Sequence, residues 1–80
     1  MLHEVKYSPK IGRNVLNAFK EIHARGVCHG DVRCENILVR PDASVVVVDF
    51  EMSTIDAEEG ELKAEMREVT NLLASLRCKR

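Results

Sequence analysis

The sequence predicts an α+β fold in the order helix, loop, β-hairpin, loop, helix, on three observations. Ile11, Val15, Phe19 and Ile22 recur every three or four residues, with polar residues mostly between them. Two short apolar runs, Ile37-Leu38-Val39 and the wholly β-branched Val45-Val46-Val47-Val48, flank the turn-forming stretch Arg40-Pro41-Asp42-Ala43-Ser44. Leu62, Met66, Val69, Leu72, Leu73 and Leu76 then return to the helical period.

Met1 to Tyr7 carries no clear pattern. Ser8-Pro9 reads as a helix start, with Ser8 as N-cap and Pro9 at the first helical position. The spacing predicts an amphipathic helix over about 9–25, weakened at Gly12 and stopped by Gly26. Residues 27–36 read as a structured loop and 37–48 as a hairpin. Four consecutive valines imply a strand covered on both faces, and so a second covering surface from elsewhere. Residues 49–60 are acidic and loop-like, and Gly60 argues against a helix before 61. The last helix is expected over about 61–77, with Glu61, Glu65 and Glu68 in its early turns and Arg77, Lys79 and Arg80 at its end, as the macrodipole favours.

Composition narrows the function classes. In 80 residues, apolar side chains make up 45% and aromatic ones only 4%, so the core must be aliphatic. A net charge of −1 leaves no basic face for a nucleic-acid partner. No apolar run is long enough to span a membrane, and no signal peptide opens the chain. The cysteines, Cys28, Cys34 and Cys78, are odd in number and irregularly spaced, as in an intracellular, cytoplasmic protein with reduced thiols. His23, Cys28, His29 and Cys34 are ligand-type residues close together. Structural zinc sites usually pair histidines at H-x3–5-H with cysteines at C-x2–4-C, and the Cys pair is missing here, so no zinc site is expected.

The chemistry lies in His29-Gly30-Asp31-Val32-Arg33-Cys34-Glu35-Asn36 and in Asp49-Phe50-Glu51. Phosphoryl transfer needs a carboxylate beside the attacking hydroxyl and hard oxygen ligands for magnesium. Asp31 would orient or deprotonate the acceptor hydroxyl. Asn36, just before the first strand, and Asp49, just after the second, would be brought side by side by the hairpin as Mg²⁺ ligands. Taken singly, each of these residues reads more readily as an ordinary turn residue.

Taken together, residues 9–51 resemble the catalytic-loop region of the protein-kinase-like superfamily, with H-G-D-x-x-x-x-N and D-F-E standing for the usual H-R-D-x-x-x-x-N and D-F-G. The glycine after the histidine is similar to aminoglycoside and choline kinases and to divergent kinase-like proteins of fungal type. The resemblance implies a truncated protein-kinase-like C-terminal lobe, with ATP and Mg²⁺ as cofactors and a hydroxyl acceptor. It implies Asp31 and Arg33 as catalytic residues, Arg33 facing the transferred phosphate, and Asn36 and Asp49 as metal and nucleotide ligands. His29 would pack under the loop. Glu65 would anchor the loop through backbone N–H groups, or else be an exposed helix glutamate. The sequence contains no G-x-G-x-x-G, no V-A-I-K and no A-P-E phrase. The expectation is therefore a phosphotransferase fragment, weak or inactive alone, completed by a missing N-terminal lobe. The alternative is a non-catalytic, pseudokinase-like binding module that uses its exposed aliphatic faces to self-associate or to bind a partner covering the valine hairpin.

Overall fold

A computed structural model describes residues 1–78, with the side chain of Cys78 outside the description. The basic end expected at Lys79 and Arg80 lies outside the described residues. Two helices pack around a two-stranded antiparallel sheet. Helix α1 spans Pro9–Ala24. The Ser8 hydroxyl accepts the Ile11 N–H at 3.3 Å, satisfying one donor that the helix itself leaves free. At the other end the Gly26 N–H reaches the His23 carbonyl and the Val27 N–H reaches the Ile22 carbonyl, with Gly26 at φ +76°. This is a Schellman stop, and its positive φ costs glycine little.

Strand β1 (Ile37–Val39) pairs with β2 (Val45–Val47) in the register Ile37↔Val47, Leu38↔Val46, Val39↔Val45. Ala43, at φ +71°, closes the turn, and its carbonyl accepts the Asn14 side-chain amide at 2.8 Å, tying the hairpin to α1. The valine run is shorter as a strand than expected, and β2 is half-buried rather than covered on both faces. Val45 and Val47 pack on the core. Val48 makes one further bond, from its N–H to the Asn36 carbonyl at 2.9 Å, before Asp49 turns the chain at φ +63°.

Helix α2 spans Glu59–Cys78, two residues earlier than the sequence suggests. Gly60 sits within its first turn, where a Cβ would meet open space. The Glu58 N–H donates to the Glu61 carboxylate at 3.3 Å, half of a capping box that offsets the glycine. The core joins Ile11, Val15 and Phe19 of α1, Ile37 of β1, and Val69 and Leu73 of α2. Leu2 completes it from a short 3-10 turn over Leu2–Glu4, in the segment without sequence pattern. Burying side chains of this size contributes about 1.5–3 kcal/mol each. Among the described residues, no helix is long and apolar enough to cross a membrane.

Candidate active site

The loop between α1 and β1 is held from three sides. The first hold is Glu65, 1% exposed although it is a helix glutamate. It lies four residues before Val69 and eight before Leu73 on the buried stripe of α2. Its Oε1 accepts the His29 N–H at 2.9 Å and His23 Nε2 at 2.8 Å. Its Oε2 accepts the Gly30 N–H at 2.7 Å and the Cys28 thiol at 3.4 Å. Burial alone would raise this carboxyl's pKa, but the Gly30 amide, His23, the His29 amide and Cys28 together outweigh it and hold the pKa below 4.5.

The second hold is His29, fully buried. Its Nε2 donates to the Val48 carbonyl at 2.8 Å and its Nδ1 accepts the Asp31 N–H at 3.2 Å. These partners assign the proton to Nε2. The ring meets Phe19 edge-on at 6.1 Å and Phe50 at 4.8 Å. The third hold is the chain after Asp49. Cys28 and Thr54 exchange backbone bonds at 2.9 and 2.8 Å, and the Ala57 N–H reaches the Gly26 carbonyl at 2.8 Å.

On this frame Asp31, Arg33 and Asn36 come together. The Asn36 side-chain amide donates to the Asp31 backbone carbonyl at 2.9 Å and to Asp31 Oδ2 at 3.2 Å. Arg33 Nε donates to Asp31 Oδ1 at 2.9 Å. Arg33 is thus paired with the candidate catalytic carboxylate. A 3-10 turn, Cys34–Asn36, unmarked in the sequence, carries Asn36 into a buried position at the head of β1. Asp49 is joined to this group through the backbone, by the bond from Val48 to Asn36. Its own side chain is exposed and takes a long bond, 3.4 Å, from the Glu51 N–H. Because the Asn36 amide nitrogen is spent on Asp31, its Oδ1 is the atom left to a cation. A neutral amide oxygen and an exposed carboxylate from the two ends of a hairpin suit the hard-oxygen preference of Mg²⁺. Two members of the zinc-ligand set, His23 and Cys28, are engaged by Glu65. Among the described residues no three His, Cys, Asp or Glu side chains are grouped to hold a metal ion.

A family model described as "Phosphotransferase enzyme family" matches residues 3–57, from the N-terminal turn through the loop after Asp49. The chain belongs to this family. It is thereby a member of the protein-kinase-like superfamily, as the protein kinases among its curated relatives also indicate. It is 35% identical over 51 residues to the serine/threonine-protein kinase CST20 of Candida albicans, covering 60% of this chain and 4% of that protein. It is 35% identical over 43 residues to mitogen-activated protein kinase kinase kinase 1 of Arabidopsis thaliana, covering 54% and 7%. It is 51% identical over 37 residues to a probable SapB synthase of Streptomyces coelicolor, covering 46% and 4%. The chain therefore spans only 4% to 7% of the length of these relatives. No solved structure matches it.

In this phosphotransferase-family chain the glycine of H-G-D has a local cause. Gly30 stands at φ +88°, and a Cβ there would run into the Met52 backbone carbonyl, with the carbonyl carbon at 3.0 Å. Any side chain at this position would therefore collide with the loop that follows Asp49. The sequence reading missed three participants: His23 and Cys28, which fill Glu65, and Gly30. The signal for the first two lay in the helical spacing of Glu65 with Val69, which places a carboxylate on a buried face where it requires donors.

Proposed function

We propose that this chain supplies the catalytic loop and metal-binding hairpin of a phosphotransferase that moves the ATP γ-phosphoryl to a hydroxyl acceptor. In this reading residues 1–80 form part of a protein-kinase-like domain. The observation that carries it is the Asp31–Asn36 pair on a loop pinned by Glu65. Asp31 takes the acceptor hydroxyl's proton or orients it, as a carboxylate held by an amide on one oxygen can. Arg33 swings from Asp31 to the transferred phosphate, where its fixed positive charge is needed. Asn36 Oδ1 and the Asp49 carboxylate hold Mg²⁺, which when bound neutralises charge on the phosphate oxygens. His29 and Glu65 hold the loop without touching substrate. The cysteine pattern, with Cys28 and Cys34 as thiols, supports an intracellular, cytoplasmic setting. Titration calorimetry with Mg·ATP tests the reading. Heat from the wild-type chain that Asp49→Ala abolishes is expected, and identical traces would refute it.

The second reading, a binding module, is favoured by one feature. Met52 and Ile55 are 64% and 75% exposed, beside the exposed Phe50. It predicts self-association, and a concentration-independent monomer in sedimentation equilibrium would dismiss it.

A further inference from the structure

The Glu65 carboxylate faces four donors from three parts of the chain. Two are the loop's own amides, His29 and Gly30. The other two are side chains: the His23 imidazole from the last turn of α1 and the Cys28 thiol just ahead of the loop. Each oxygen takes one amide and one side-chain donor. Rotation about the last carbon–carbon bond of a glutamate is soft, so one amide on each oxygen selects the carboxylate plane but holds it loosely. A second donor on each oxygen tightens that hold.

We propose that His23 and Cys28 are positioning residues, which lock Glu65 in the plane that binds both loop amides and so set the backbone that carries Asp31. The consequence for catalysis rests on the phosphotransferase reading; the locking itself does not. Both residues are placed by backbone bonds that do not involve Glu65. Cys28 exchanges two bonds with Thr54, and the His23 carbonyl accepts the Gly26 N–H that ends α1. Their side chains are therefore aimed by the fold rather than drawn in by the carboxylate. Cys28 is also a donor at neutral pH, because burial, with Glu65 and Glu61 adding to it, raises its thiol to about 11. Asp31 feels the arrangement through two steps. Glu65 holds the His29 and Gly30 amides, and His29 Nδ1 holds the Asp31 N–H.

The test is amide hydrogen exchange by NMR on the whole chain, with Val15 and Phe19 as core references. Cys28→Ala and His23→Ala are expected to speed exchange at Gly30 and Asp31 by about tenfold or more relative to those references, the loss of one local hold. Cys28→Ser and His23→Gln, which keep a donor, are expected to return it to within about threefold of wild type on the same scale. Should Cys28→Ala unfold the chain, Cys28→Val fills the volume and still lacks the donor. Unchanged Gly30 and Asp31 exchange in the donor-less variants would overturn the proposal. So would serine and glutamine variants no better than alanine. If the exchange pattern holds while wild type and Asp49→Ala give the same Mg·ATP heats, the positioning stands and the phosphotransferase reading falls.

Discussion

Replacing Glu65 by Gln keeps the size and shape of a fully enclosed side chain and removes one acceptor. Each carboxylate oxygen faces one backbone N–H and one side-chain donor. A glutamine must turn its NH₂ group toward one of the two sets. Toward His23, the imidazole can switch tautomer and accept, but the His29 N–H is then left facing another donor. Toward Cys28, the Gly30 N–H is stranded in the same way. Either orientation leaves one amide without a partner, the buried His29 N–H or the part-buried Gly30 N–H, and weakens the remaining bonds, which had been made to a charge. The expected loss is about 2–4 kcal/mol. An 80-residue domain has a total stability of about 4–12 kcal/mol, so the loss is a large share of it. The corresponding fall in melting temperature is about 10–25 °C. Thermal and urea unfolding followed by circular dichroism at pH 7 would measure it, with an unchanged urea slope marking a true stability loss. A melting temperature within about 2 °C of wild type would refute the reasoning, since that corresponds to less than one neutral hydrogen bond.

Gly30→Ala is expected to cost about 2–4 kcal/mol in urea unfolding, from the positive φ and from the collision with the Met52 carbonyl. Phe19→Ala, which opens a cavity under His29, is expected to cost about 3–5 kcal/mol in the same assay. Stability measured against pH is expected to show a plateau with two shoulders. The folded pKa of Glu65 is below 4.5, so its contribution is complete above about pH 5 and is lost as pH falls through the lowered value. The folded pKa of Cys28 is raised from 9.0 to about 11, so its contribution is lost as pH rises through that interval. In Glu65→Gln the acid shoulder should shrink, which urea midpoints between pH 3 and 6 would register.

Local signals were legible where local physics decides. Ser8-Pro9 and Gly26 bracket α1 because capping and the left-handed stop act over a few residues. The hairpin was readable from its two apolar runs and its turn. What escaped the sequence was set by contacts distant along the chain. Leu2 is buried because the core offers it a place, not because its neighbours show a period. Gly60 suggested a later start for α2, but the bond between Glu58 and Glu61 starts the helix before it. Val48 looked like strand, yet the turn at Asp49 ends the pairing there. Glu65 was ambiguous because its polarity argued for the surface while its spacing argued for the stripe. The stripe prevailed because four donors waited inside. The Arg33–Asp31 pair has no sequence signature at all, since residues two apart face each other only in a particular loop shape.

The bonds around the loop fall into two strengths, and the division bears on function. Those that fix the backbone are buried or part-buried: Glu65 to two amides, and His29 to Val48 and Asp31. Removing one leaves a donor or acceptor with restricted access to water, so the loop keeps its shape. The bond that occupies Asp31 Oδ1 is of the other kind. Arg33 is 59% exposed and Asp31 27%, and pairs open to solvent are worth about 0–1 kcal/mol. A phosphate or a hydroxyl arriving at this point would exchange partners with Arg33 and Asp31 at small cost, while Asn36 keeps hold of Oδ2 from its buried place. A stiff backbone under loosely held side chains lets a positioned carboxylate and a mobile cation coexist within two residues of each other, as the proposed phosphotransferase reading requires. The fold therefore places its buried polar side chains at Glu65, His29 and Asn36 and leaves Asp31, Arg33 and Asp49 open to solvent on at least one side.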